Sequence, residues 1–410
     1  MRTIPTLFKT LFLTLLLSLA AHGAFAQTEV NIAAPVPAFE GTGAGTTPFT
    51  FTITRSGPGP YPASFNVAYA VSGQVAAPED YNAPSGTVAF TSATQATATV
   101  TIGIKRDTKH EIDEDLTITL ISADNGVTVG LGSPIATTQV LNEDDQPTIT
   151  INDRTVAEGT SAIFTITRSN PSYLPVGVLA TTGDGSANGV ITAPFPQPDY
   201  TTNAPGTTVN FVGDALTATF TVPTINDAVY EGGFGGTPET FVVTLSSPNN
   251  ALIADNTGDG FITDNESKPT VSFSTLASQS EAVALYPFTV TLNRQSSETI
   301  IIPAITINGT ANDAPNGFGN GNPKDYDALV PPSVTFGPGF TSQVVNIAIN
   351  NDLINEINET FSMQLTFPAN VFNTGTLSRT AIIVDNDAPP VLDLGVDMVC
   401  SRTAAEVLIA

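Results

Sequence analysis

Apolar and polar residues alternate singly over much of this chain. Phe51 and Ile53 alternate with Thr50, Thr52 and Thr54, a period of two that turns one face of a strand to a core and the other to water. Threonine, valine, isoleucine and phenylalanine carry the pattern, and all four suit a pleated, half-buried surface. Nearly the same strand recurs, as FTITR at 51–55, FTITR at 164–168 and FTVTL at 288–292. Further anchors follow each copy in one order. An Asp-Tyr pair stands at Asp80-Tyr81, Asp199-Tyr200 and Asp325-Tyr326, then a Val-x-Phe edge ends at Phe90, Phe211 and Phe336. Next come TVTIGIKRD at 99–107, TFTVPTIND at 219–227 and VVNIAINND at 344–352, and then LTITL at 116–120, FVVTL at 241–245 and FSMQL at 361–365. The Asp-Tyr steps are 119 and 126 residues, a repeat long enough for a whole domain. Short strands at this spacing, punctuated by turn signals such as Asn125-Gly126, predict one β-sandwich per repeat. Propeller blades would be only about 40–45 residues long. The expected fold is all-β: three tandem Greek-key β-sandwiches at 27–145, 146–267 and 268–388. Gly232-Gly233 and Gly235-Gly236 in the second repeat read as a loop insertion.

Both ends depart from the pattern. Arg2 and Lys9 form a short positive region before an apolar run from Leu11 to Leu19, and Ala24-Phe25-Ala26 fits a small-residue cleavage site. Residues 1–26 are therefore expected to be a signal peptide, and the mature chain to be secreted or at the cell surface. A membrane anchor is the alternative, but the run is shorter than the roughly 20 residues of a spanning helix. No later segment has eighteen consecutive apolar residues, so no transmembrane segment is expected in the mature chain. Residues 389–410 open on Pro389-Pro390 and continue VLDLGVDMVC. They resemble the first strand of a further Ig-like domain in bacterial surface proteins, and are read as the start of a truncated domain or a disordered tail.

Charge narrows the functional classes. Against 13 Lys plus Arg stand 38 Asp plus Glu, a formal net charge of −25 that becomes −27 once Arg2 and Lys9 are removed. Nucleic acid and anionic membranes demand a basic face and are excluded as partners. The one cysteine, Cys400, allows neither an internal disulfide nor a cysteine zinc site. With His22 and His110 as the two histidines, multi-histidine chemistry is excluded as well.

The acids keep matched places. In the first repeat they are Glu40, Asp80, Asp107, Glu111, Glu114 and the closing Glu143, Asp144 and Asp145. In the second they are Glu158, Asp199, Asp227, Glu231, Glu239, Asp264 and Glu266. In the third they are Glu281, Asp325, Asp352, Glu356, Glu359, Asp385 and Asp387. Each lies beside the end of a predicted strand, and alternate strand ends of a Greek-key sandwich meet at one pole. Converging carboxylates repel one another unless a cation sits among them. Oxygen donors alone suit Ca2+, which takes about six to eight of them at roughly 2.3–2.6 Å. Magnesium is second choice, and zinc and copper are poorly served. A merely solvated acidic surface is the alternative, though such a surface would not repeat its acids at matched offsets.

The pattern Glu40-Gly41, Asp80-Tyr81, then Asp107, Glu111 and Glu114 before a Leu-rich strand, and a closing acidic run, resembles the Calx-beta domain. The resemblance extends over about 27–388. It implies Ig-like β-sandwiches that bind calcium at one end, near the junction with the next repeat. In the third repeat Asn386 dilutes the closing run, and in the second Asn265 does. Eight residues separate Glu231 from Glu239, against three between the matching acids of the other repeats. The second site is accordingly expected to be the weakest.

Other motifs are thinner. Asp255, Thr257, Asp259, Gly260 and Glu266 fit most of an EF-hand loop, but no helix is predicted on either side. His110, between Lys109 and Glu111, reads as an exposed loop histidine. No G-x-S-x-G occurs and Trp is absent, so neither an α/β-hydrolase nucleophile nor a tryptophan sugar platform is present, and an enzyme is not expected. Three functions fit: a structural or adhesive array whose partners are cell-surface proteins or glycans, the non-catalytic region of a larger exported enzyme, or a calcium-sensing module in cell communication.

Overall fold

The computed structural model describes residues 27–75, 79–190, 197–232, 237–314, 324–373 and 375–391. The expected signal peptide, Gly233, Gly235, Gly236 and almost all of the tail lie outside them. The first repeat comprises β1 (Glu29–Ala33), β2 (Ala38–Phe39), β3 (Thr46–Ser56), β4 (Phe65–Gly73), β5 (Ser85–Phe90), β6 (Thr97–Lys105), β7 (Glu114–Ala123), β8 (Thr128–Val129) and β9 (Ile135–Leu141). The second comprises β10 (Thr148–Ile151), β11 (Arg154–Ala157), β12 (Ala162–Arg168), β13 (Gly177–Asp184), β14 (Thr207–Asn210), β15 (Thr217–Val222), β16 (Glu239–Asn249), β17 (Leu252–Ile253) and β18 (Thr257–Thr263). The third comprises β19 (Val271–Phe273), β20 (Gln279–Ser280), β21 (Leu285–Leu292), β22 (Ile300–Asn308), β23 (Ser333–Phe336), β24 (Ser342–Ala348), β25 (Glu359–Thr366) and β26 (Thr376–Val384). Among the described residues every regular element is a strand, as the period-two pattern predicts.

Each repeat is two packed sheets. In the first the orders are β6-β3-β1-β8 and β2-β9-β7-β4-β5. The opening strand is divided between them: β1 runs antiparallel to β3, and β2 then runs parallel to β9 in the other sheet. The second repeat copies this through β11 beside β18, and the third through β20 beside β26. Alternation explains the burial. Phe49, Phe51 and Ile53 point inward from β3, while Thr50 and Thr54 stay exposed. Three separate cores result, centred on Phe51, Phe65 and Phe90, on Phe164 and Phe241, and on Phe288 and Phe361. Each buried phenylalanine contributes about 1.5–3 kcal/mol relative to exposure.

The recurring Asp-Tyr pair is a spacer between core and pole. Tyr200 is fully buried and stacks on Phe241 with ring centroids 4.7 Å apart, and Tyr326 stacks on Phe361 at 4.3 Å. Their hydroxyls donate to Asp184 and Asn308. A ring locked in this way fixes where the preceding aspartate stands. In the first repeat, the segment after β2, the segment after β6, the start of β7 and the segment after β9 meet at one end of the sandwich. These segments carry the acids.

Candidate metal centres at the downstream poles

Two carboxylate clusters form at the pole of the first repeat. Glu40, Asp107 and Asp144 can place one oxygen each within 4.8 Å of one another, and so can Asp80, Glu111 and Glu114. The second repeat repeats the arrangement with Glu158, Asp264 and Glu266, and with Asp199, Glu231 and Glu239. In the third, Glu281, Asp385 and Asp387 gather likewise. There Glu359 shares a hydrogen bond with Asp325 and lies close to Glu356. The eight-residue separation of Glu231 and Glu239 does not keep them apart: Glu239 opens β16 and gathers with Asp199 and Glu231.

Local turns aim the ligands. Asp107, Asp227 and Asp352 each fold back on their own loop, Oδ1 accepting from the backbone N–H of Lys109, Val229 and Ile354 at 2.8, 2.7 and 2.6 Å. These Asx turns hold the loop with one oxygen and leave the other for the pole. Asp199 Oδ2 accepts from Asn188 N at 2.6 Å, and Asp325 Oδ2 from Asn312 N at 2.7 Å.

The closing runs align one residue earlier than the sequence reading placed them in the first repeat. Glu40, Glu158 and Glu281 donate their backbone N–H to the carbonyls of Leu141, Thr263 and Val384. Asn142 therefore stands where the other repeats have Asp264 and Asp385. The side chains confirm the equivalence. Asn142 Oδ1 accepts from the N–H of Glu111 and Asp144, as Asp264 accepts from Glu231 and Glu266, and as Asp385 accepts from Asp387. Asp144 matches Glu266 and Asp387. Asp145 falls one position beyond the set and is exposed, with its backbone carbonyl taken by Asn170 Nδ2 at 2.8 Å. Glu143 stays at the pole, both its oxygens buried, and its charge bears on Glu40 and Asp144. The EF-hand reading fails, because Thr257–Thr263 is strand β18 and Asp259 is exposed on it.

Burial and crowding raise the pKa of these acids. Desolvation first, then the Glu111 carboxyl, pushes Glu40 up to about 9. Desolvation is also the leading cause for Glu111 at about 7, Glu158 at about 8, Glu231 at about 9, Glu239 at about 8, Glu281 at about 7 and Glu359 at about 8. Glu114, Asp144, Asp199 and Glu356 are raised as well, each with neighbouring carboxylates adding to burial. Glu40 Oε1, Asp144 Oδ2, Glu158 Oε1, Glu239 Oε2, Glu266 Oε2 and Asp387 Oδ2 are buried without a hydrogen-bond donor. A buried oxygen left in this state costs free energy. A hard cation relieves both strains, since it supplies charge and accepts oxygen ligands. The donor set fits calcium: oxygens only, many of them anionic, on several flexible loops.

The same poles meet the next repeat. His110 pairs its backbone with Pro171 and Tyr173, and Ser172 Oγ donates to His110 O at 2.7 Å. Its ring Nδ1 lies 3.0 Å from Asp144 O. His110 is thus a part-buried junction residue rather than an exposed loop histidine. Tyr173 of the second repeat donates to Asp107 Oδ2 at 3.4 Å, Lys109 lies over its ring, and Lys109 Nζ bridges Asp214 at 2.9 Å. The next junction is built alike, with Tyr230 in the place of His110, bonded to Gln295 and Ser297. Asn142, Tyr173 and Ser172 were missed in the sequence, though an asparagine directly before three acids was a visible signal for the first.

The Calx-beta domain family matches the chain over residues 45–146, 142–263 and 264–387. No curated protein matches it. Among solved structures, CBD12 from CALX1.2 is similar at 16% identity over 55% of this chain and 83% of that one, with a TM-score of 0.25. The calcium binding domain CBD12 of CALX1.1 is similar at 17% identity, covering 54% and 82%, with a TM-score of 0.24. The apo-form Calx CBD1 domain is similar at 20% identity, covering 29% and 99%, with a TM-score of 0.25. The three family matches run without a break from residue 45 to residue 387, and the chain belongs to the Calx-beta domain family.

Proposed function

We propose that this protein is an exported, calcium-stiffened structural or adhesive array that acts without catalysis at or outside the cell surface. Its ligands would be other cell-surface proteins or glycans. The observation that supports this reading most is the set of donor-less buried carboxylate oxygens recurring at all three poles. In the first repeat Glu40, Asp107, Glu111, Glu114, Asp80, Asp144 and Asn142 would hold the cations. Calcium supplies there the positive charge that lets the carboxylates ionise together. The loop of Asp107 also carries His110, so ordering the site orders the surface that meets the second repeat. Linkers of one or two residues, Gln146 before Pro147 and Ser267-Lys268 before Pro269, leave little slack, and proline narrows it further.

Calorimetry and thermal melting of the chain with calcium and with chelator test the binding. Binding to the folded state alone adds about 2.7 kcal/mol per site at a hundredfold excess over Kd, so Tm should rise with calcium. Small-angle scattering tests the stiffening, because the maximum dimension should sharpen on adding calcium. Unchanged melting would refute binding, and identical scattering with unchanged flexibility would refute the array mechanism.

A further inference from the structure

The acids gather at the poles, and one long lateral edge of each sandwich is left almost free of charge. Strands β6, β15 and β24 each border the smaller sheet. Their sequences are TATVTIGIK, TATFTV and SQVVNIA, with Lys105 at the very end of β6 as the one charge. Sheet edges are usually blunted by charge, proline, a bulge or shortness. Several other edges here are short, with β2, β8, β17 and β20 having two residues each. The three long edges carry no such device along their length.

Hydrogen-bond parity shows what faces outward. Arg168 N donates to Leu216 O. Since this alternation has a period of two, Ala218, Phe220 and Val222 turn their backbone groups to β12. Thr217, Thr219 and Thr221 turn theirs to the open side. Farther along the same row, the Asp-Tyr segment already docks as a strand: Thr201 N donates to Pro223 O at 2.9 Å and Ile225 N to Asp199 O at 2.8 Å. In the third repeat Leu292 N donates to Thr341 O, so Ser342, Val344 and Asn346 face outward, and Asp327 and Asn350 close the far end through Ala348 O and Asp325 O. Among the described residues nothing pairs with the nearer part of either row. A groove of about 500 Å3 runs beside β15, lined by Asn203, Thr208, Asn210, Thr217, Thr219 and Thr221. A second of about 500 Å3 lies beside the end of β24.

We propose that β15 and its counterparts are lateral docking edges whose occupant is the same edge of a second copy of this chain. The occupant must offer N–H and C=O groups at every second residue, which an extended strand does. Strand β15 is its own complement. Paired antiparallel about Thr219, it sets Thr217 against Thr221 of the second copy and Thr219 against its own twin. The sheets already use this pairing internally: Thr219 faces Thr165, Thr217 faces Thr167, and Thr50 faces Thr101 with hydroxyl oxygens 3.0 Å apart. In a chain of net charge −25, a neutral edge is also where two copies repel least. Antiparallel pairing joins the two small sheets into one continuous sheet.

Sedimentation of the full chain in calcium tests this. The expected result is concentration-dependent dimerisation, with amides of Thr217, Thr219 and Thr221 slowing in hydrogen exchange on association. A variant carrying Thr99→Lys, Thr219→Lys and Val344→Lys puts a charge at equivalent outward positions of all three edges and should remain monomeric with an unchanged Tm. A wild-type chain that stays monomeric up to its solubility limit overturns the proposal. So does a dimer that survives the three lysines, which would place the contact elsewhere.

Discussion

Calcium added to the metal-free chain at pH 7 is expected to drive protons off the poles, with the second repeat giving up more than either of the others. In that repeat Glu158, Glu231 and Glu239 are held at about 8, 9 and 8, so each is at least about nine-tenths protonated at pH 7. A bound cation needs the ionised forms, and about three protons should leave this pole. In the first repeat Glu40 at about 9 and Glu111 at about 7 leave between about one and two protons to release. The third, with Glu281 at about 7 and Glu359 at about 8, should behave like the first. Metal affinity then climbs with pH, by about tenfold per unit for each proton displaced. Titration calorimetry in two buffers of matched pH but different ionisation enthalpy reads the number directly. Equal binding enthalpies in the two buffers would mean that no proton moves. The clusters would then be ionised before calcium arrives, and the argument from burial would be wrong.

The same shifts fix the pH dependence of the metal-free fold. Carboxyls with a folded pKa above the ordinary 4.5 hold protons that the unfolded chain has lost, so their contribution is complete below about pH 4.5 and is gone once pH has risen through each group's folded pKa of about 7 to 9; melting without calcium should weaken from about pH 4.5 upward by roughly 1.4 kcal/mol per pH unit for each group still below its folded pKa, and calcium should reverse the trend. Replacing Asn142 with Ala should weaken binding at the first pole, while Asp145→Ala should leave it unchanged, as calorimetry will show; the opposite ranking would restore the unshifted alignment. Tyr173→Phe removes the hydroxyl that donates to Asp107 and should change first-site calcium affinity only severalfold, a hydrogen bond contributing about 1 kcal/mol. Tyr200→Ala empties a stacked, fully buried ring site and should cost the second repeat about 3–5 kcal/mol in denaturant unfolding.

Much of this architecture was legible because its causes are local. Alternation of Thr with Phe and Ile is a two-residue signal, and it predicted the strands and their inward faces. The Asp-Tyr pair recurs because a tyrosine of that length must reach the core below the pole. The closing run was harder. Its acids are adjacent, and a one-residue slip between repeats changes nothing in composition. Only the backbone bonds from Glu40, Glu158 and Glu281 to the last strand settle the alignment. The spacing of Glu231 and Glu239 does not reveal their convergence for a related reason. Sequence distance counts residues in the loop, whereas the two ends of a loop can stay together at small entropic cost. His110 reads as an exposed loop histidine because what it touches, Ser172, lies in the next repeat and 62 residues away.

The divided opening strand has a mechanical consequence. Strand β2 runs parallel to β9, β11 to β18 and β20 to β26, so the chain enters each sandwich at one pole and leaves at the other. Tension on the ends slides these strands past one another. The bridging bonds are then loaded together, in shear, instead of opening in succession as in a peeled hairpin. A repeat held this way resists extension with several bonds at once, and the acidic poles sit directly on the line of pull. Force would reach the cation sites before it reached the cores, so calcium occupancy would decide whether a junction yields ahead of the sandwiches or bears the load with them.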